Sequence, residues 1–111
     1  MERTFIEVPA FTKKWHDLGL TDDDLRELEN ILLEDTKAGD TIQGTGGLRK
    51  IRIPLDQKGK RGGARVIYVD VEVKESIYFI NVYSKKEKEK DDLTEAEKKA
   101  LKAVVKLLKG E

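Results

Sequence analysis

The 111-residue chain has no cysteine, one histidine, one tryptophan and no net charge. Without cysteine there is neither a disulfide framework nor a thiolate metal site, and His16 alone cannot build a histidine-rich one. Carboxylate and water are the ligands left for a metal, and the expectation is no metal and no cofactor. No run approaches the roughly 18 apolar residues of a membrane-spanning helix. The opening MERTFIEV reads as a strand and lacks the charged and apolar regions of a signal peptide. A soluble, cytoplasmic protein with no membrane partner is expected. Length and 38% hydrophobic content fit one domain, residues 1–111, around a single core.

Neutrality conceals a segregation of charge, because 22 basic and 22 acidic residues cancel only over the whole chain. Between Leu48 and Val66, seven cations stand against Asp56 alone, a local charge of +6. They are Arg49, Lys50, Arg52, Lys58, Lys60, Arg61 and Arg65. Between Asp22 and Asp35, seven carboxylates stand against Arg26, a local charge of −6. A focused cationic patch suits a polyanion such as a phosphate backbone. A Lys-rich strand edge is also a common device against aggregation, and charge alone leaves the two readings about even.

The punctuation of the chain predicts β, α, α, β, β, β, α. Thr4 to Val8 is a short strand stopped by Pro9, which suits the first turn of a helix. Phe11, Trp15 and Leu18 then recur as one stripe, and Gly19 ends that helix. Thr21, followed by three aspartates, caps a second helix whose stripe is Leu25, Leu28, Ile31 and Leu32. The glycines of GDTIQGTGG mark a loop. In the strand Leu48 to Ile53, alternation puts Lys50 and Arg52 on one face and Arg49 on the other. Ala64 to Val73 and Ser76 to Ser84 are apolar on both faces, as central strands are, with a turn near Lys74. Lys85 to Asp92 is a charged connection. Thr94 and Glu97 then form a capping box ahead of the stripe Leu101, Val104, Val105 and Leu108. The fold class is α+β: an N-terminal strand and helical hairpin, a three-strand antiparallel meander and a C-terminal helix. The first strand can join either edge of that meander.

Cleavage of RNA requires a base for the 2′-hydroxyl, a cationic group for the phosphorane and an acid for the leaving 5′-oxygen. The usual pair of histidines is missing, and a lone helix histidine such as His16 is more often structural or solvent-facing than catalytic. A lysine whose neighbours disfavour its ammonium form can act as the base, and Lys50 beside Arg52 meets that condition. Arg52 and Arg65 would clamp phosphate, since arginine stays protonated. Equally, all three cations could do no more than position a nucleic-acid backbone. GTGG and KGKRGG lack the P-loop pattern and do not lead from a strand into a helix, so they read as loops.

The strings IQGTGGLRKIR and KGKRGGARVIY are similar to the RelE/ParE superfamily of toxins from type II toxin–antitoxin modules, and within it to the HigB-like branch. The resemblance implies a RelE-like fold over nearly the whole chain. It implies a ribosome-dependent mRNA endonuclease (mRNA interferase) that inhibits translation by cutting messenger RNA in the 30S A site, contacting ribosomal RNA and needing no metal. A cognate helix-turn-helix antitoxin is the implied partner, with operator DNA reached only through it. Two alternatives come with the family: a non-catalytic inhibitor of gyrase of the ParE type, and a degenerate toxin serving as co-repressor. By position, the family's basic residues fall on Lys50, Arg52 and Arg65, and on Lys85 or Lys86 after the last strand. Lys50, Arg52, Arg65 and Lys85 make up the implied catalytic group, while Arg49, Lys58, Lys60, Arg61 and Lys86 make up the implied RNA-contacting group. The chain departs from RelE where the latter carries a C-terminal aromatic hydroxyl: no tyrosine follows Tyr83, and Asp91 and Asp92 occupy that region.

Overall fold

A computed structural model describes residues 2–54, 63–84 and 93–111. The elements in order are β1 (Thr4–Glu7), α1 (Pro9–Asp17), α2 (Asp22–Glu34), β2 (Asp40–Thr41), β3 (Arg49–Ile53), β4 (Ala64–Val71), β5 (Ser76–Ser84) and α3 (Glu95–Leu108). All strands join one sheet in the order β1-β5-β4-β3-β2. The antiparallel meander is β3, β4 and β5. The first strand takes the β5 edge and runs parallel to it, which makes the sheet mixed. β2 is an addition to the expected plan: Asp40 and Thr41, expected in a loop, pair antiparallel with Lys50 and Arg49.

The helical hairpin covers one face of the sheet. Phe11 and Trp15 of α1 and Leu28 and Leu32 of α2 are buried against Ile51, Ile53, Val66, Ile77 and Phe79. Phe79 stacks on Phe11 at 5.1 Å and on Phe5 at 5.7 Å between ring centroids. The turn between the helices is pinned by Trp15, whose Nε1 donates to the Thr21 carbonyl at 3.0 Å. Thr21 and Asp24 close a reciprocal capping box, each side chain accepting from the other's backbone N–H. The acidic residues of α2 therefore belong to the helical side of the sheet. Ile31, expected in the buried stripe, is 46% exposed, because Leu25, Leu28 and Leu32 already span the contact with the sheet.

Helix α3 packs on the other face. Leu48, Ile67, Val69, Val71, Tyr83 and Val105 form its core, with Leu101 and Leu108 packed at the margin. The Thr94–Glu97 capping box forms as the sequence predicts. Val104 does not join the stripe and is 43% exposed. Residues 101, 105 and 108 turn toward the sheet at i, i+4 and i+7, and among the described residues no further element lies outside them to bury Val104.

Two local features set the register near the basic strands. Gly63 adopts φ +70°, and a Cβ there would collide with the Ile53 carbonyl oxygen, so only glycine lets β4 begin beside the end of β3. The second is a bulge in β5. Ile67 pairs with Asn81 while Tyr68 pairs with Phe79, which leaves Ile80 as the extra residue. Phe79 and Val82 thereby share the helical-hairpin face although they are three apart, and Tyr83 is moved to the α3 face.

Candidate nucleic-acid interface

The strand register gathers the cations that alternation predicts. Ile51 and Ile53 point into the helical-hairpin core, so Lys50 and Arg52 point to the α3 side together with Leu48. Arg52 is the register partner of Arg65, and Arg65 is the register partner of Tyr83. Ala64 and Val66 belong to the helical-hairpin core, which turns Arg65 to the α3 side as well. One cross-strand row, Arg52, Arg65 and Tyr83, thus lies on the face where Lys50 also stands. Arg52 is exposed and Arg65 half-buried, with Nη1 reaching the Ala64 carbonyl at 3.4 Å.

Beside this row is a cleft of about 330 Å³ between the β2–β3 edge and the start of α3. Asp40, Thr41, Gln43, Lys50, Tyr83 and Lys98 supply its polar lining, and Ile42, Ile67 and Leu93 its apolar lining. Lys98, in the first turns of α3, adds a cation from outside the basic strands. The cleft therefore offers cations from two elements, a phenol, an amide and a carboxylate within one concave surface. Those groups can hold a phosphate, contact a base edge and move a proton.

Arg49, grouped by position with the RNA-contacting residues, turns to the opposite face. Its Nη1 donates to the Gly39 carbonyl at 2.8 Å and to the Lys37 carbonyl at 3.4 Å. There it ties the segment after α2 to the sheet. Gly39 is held a second time, by its N–H donating to the Tyr68 hydroxyl at 2.9 Å, and that hydroxyl donates to the Thr36 carbonyl at 2.9 Å. A Cβ on Gly39 would lie 2.9 Å from both the Lys50 carbonyl oxygen and the Tyr68 ring, so glycine is required for this approach. Burial pushes the Tyr68 phenol above its ordinary value, against the opposing effects of the Gly39 hydrogen bond and Arg49. Lys58, Lys60, Arg61, Lys85 and Lys86 lie outside the described residues. His16 is exposed on α1, on the helical-hairpin side.

Sequence reasoning passed over Asp40, Gln43, Tyr83 and Lys98. Tyr83 sits in a strand apolar on both faces and reads as core, and only the bulge reveals which face it joins. Asp40 and Gln43 lie in a glycine-rich stretch with no periodicity, while Lys98 resembles any solvated helix lysine. Among the described residues, no helix is long and apolar enough to cross a membrane.

A mixed five-stranded sheet, with a helical hairpin on one face and a cleft beside a row of cations on the other, defines a small α+β protein. Its fold is similar to that of a doubly substituted Escherichia coli toxin RelE in the free state, with a TM-score of 0.59 at 19% identity, over 80% of this chain and 90% of that one. It is also similar to the intact E. coli RelBE toxin–antitoxin complex, with a TM-score of 0.56 at 18% identity, over 76% of this chain and 96% of that one. The isolated E. coli RelE toxin gives a TM-score of 0.55 at 17% identity, over 94% and 99% of the respective chains. Residues 6–110 match the family described as the RelE toxin of the RelE / RelB toxin–antitoxin system. The chain belongs to the RelE toxin family.

Proposed function

We propose that this RelE-family toxin is a ribosome-dependent mRNA endonuclease that stops translation by cutting messenger RNA in the A site. The observation that carries the reading is the direct opposition of Arg52 and Arg65 on one sheet face, with Lys50 beside them at the cleft. Like charges directly opposed across a sheet oppose its stability, so the arrangement suits an anionic ligand better than it suits the fold alone. In this reaction Arg52 and Arg65 hold the scissile phosphate and stabilise the phosphorane, as preorganised cations do where charge develops. Lys50 is the proton-transfer group supplied by the basic strands. Family resemblance adds Lys85 to this set, and Lys58, Lys60, Arg61 and Lys86 as contacts to RNA.

The neutral chain relies on a focused patch rather than on bulk charge to find its target. Its carboxylates on α2 lie on the helical side of the sheet, away from the basic row, so they do not screen it. A cognate antitoxin is the expected partner, as E. coli RelE is found in complex with one; its helix-turn-helix class and its access to operator DNA are what the sequence resemblance implies.

Purified protein incubated with a message, either naked or on programmed ribosomes, tests this reading by primer extension. Cuts at the A-site codon on ribosomes and an intact naked message are expected. Growth arrest with no cut in either sample would turn the reading toward a non-catalytic inhibitor of the gyrase-poisoning kind.

A further inference from the structure

We propose that Asp40 is the proton acceptor of this cleft, with Lys50 facing it as the proton donor, an assignment that rests on the endonuclease reading above. The two residues are direct register partners across β2 and β3, and both line the cleft. Side chains of directly opposed antiparallel residues stand on the same face, with Cβ atoms roughly 4.5–5.5 Å apart. A carboxylate and an ammonium are therefore presented side by side, two residues along β3 from the Arg52–Arg65 row.

Several contacts hold the backbone next to Asp40. β2 is only two residues long, so its pairing needs support. Gly39 gives the close approach to β3, and the Tyr68 hydroxyl and the Arg49 guanidinium each hold the Gly39 backbone. Asp40, the next residue, is thus fixed from behind while its side chain stays exposed to the cleft.

The chemistry of the two side chains divides the proton transfers cleanly. An ionised carboxylate only accepts, and an ammonium only donates. The Asp40 carboxylate takes the proton of the 2′-hydroxyl as the 2′-oxygen bonds to phosphorus. The Lys50 ammonium gives a proton to the 5′-oxygen as its bond to phosphorus breaks. The products are a 2′,3′-cyclic phosphate and a 5′-hydroxyl. Asp40 then returns its proton to water and Lys50 regains one, which closes the cycle with no further reactant. Lys50 is left as the acid, the reverse of the role that sequence alone suggests.

Single-turnover cleavage by the full chain on programmed ribosomes is the test, with Asp40→Asn and Asp40→Glu beside the unaltered protein. Asp40→Asn is expected to slow cleavage roughly 100- to 1,000-fold, the scale of a lost general base. It should also abolish the rise of rate with pH on the acid side of the profile. Its affinity for ribosomes carrying a message with a 2′-deoxy nucleotide at the cut site should stay unchanged, and Asp40→Glu should recover part of the rate. Asp40→Asn cutting within about threefold of the unaltered protein, or losing affinity in step with rate, would overturn the assignment. If the unaltered protein cuts nothing on ribosomes, the endonuclease reading falls and this assignment with it. Cutting by the unaltered protein and by Asp40→Asn alike removes the assignment alone.

Discussion

Arg52 and Arg65 are register partners across β3 and β4, two guanidinium groups on the sheet face that α3 covers. Cross-strand pairs of this kind change stability by roughly 0.2–1 kcal/mol, and like charges act on the unfavourable side. The pair therefore contributes little to holding the strands together. That separates the proposed phosphate-holding role from a structural one, and each arginine is expected to tolerate substitution without loss of the fold.

Arg65→Ala should accordingly remove toxicity from a protein that remains folded. Loss of a charged contact that strengthens in the transition state slows cleavage roughly 100- to 1,000-fold. Thermal unfolding should change by less than about 1 kcal/mol, in line with the small cross-strand contribution. Full growth arrest by a soluble Arg65→Ala protein would take Arg65 out of the site.

Cleavage should persist in EDTA and leave a 5′-hydroxyl with a 2′,3′-cyclic or 3′-phosphate. With no cysteine and a single histidine in the chain, the charge work is assigned to Arg52, Arg65 and the neighbouring lysines. The proton-transfer groups are weak ones, so orientation must supply much of the rate. Holding the 2′-hydroxyl in line with the phosphate is worth roughly 7–11 kcal/mol when the geometry is near attack. End mapping after incubation with chelator checks this, and 5′-phosphate ends or loss of cutting in EDTA would contradict it.

Much of this arrangement is legible in the residues. Period-two alternation puts Lys50 and Arg52 on one face, and the N-cap Thr21 and the capping box of Thr94 and Glu97 mark the starts of α2 and α3. Arg65 follows because a hairpin must lay β4 beside β3. What escapes is set by single-residue or long-range events. The extra residue Ile80 flips the alternation of β5 and carries Tyr83 to the cationic row. A two-residue strand has no period of its own, so Asp40 is placed only by its pairing with Lys50. The direction of Arg49 follows from alternation, yet the carbonyls it binds come from a linker whose path depends on Gly39 and Tyr68.

The segregated charges distinguish two ways in which an antitoxin can silence the toxin. Masking the cationic row requires acidic antitoxin residues near Arg52 and Arg65, and the association rate should then fall steeply with salt. Blocking ribosome entry from the helical side meets the acidic face of α2 instead. Stopped-flow association across a salt series decides when Arg52→Ala and Arg65→Ala are run beside the unaltered protein, and a salt slope that neither substitution changes identifies the steric route.

Tyr68 links stability to the cleft, and its titration gives that link a sign. Its hydroxyl satisfies the Gly39 N–H and the Thr36 carbonyl, so Tyr68→Phe leaves two backbone groups without this partner. An unsatisfied buried group costs about 1–3 kcal/mol, and a loss of that order is expected. Burial raises the phenol's pKa in the folded state, so the native protein holds this proton more tightly than the unfolded chain does. The stabilisation is fully present below the unfolded value of about 10. It is lost as pH rises through the folded value, because phenolate cannot donate to the Thr36 carbonyl. Denaturant unfolding of the two proteins should therefore show a gap that is constant at neutral pH and narrows in strong alkali. At neutral pH the same substitution loosens the backbone that seats Asp40, so cleavage on ribosomes should slow even where the protein is fully folded. A gap unchanged in strong alkali would mean that the Tyr68 proton is not coupled to folding, and an unchanged cleavage rate would separate this anchor from the chemistry of the cleft.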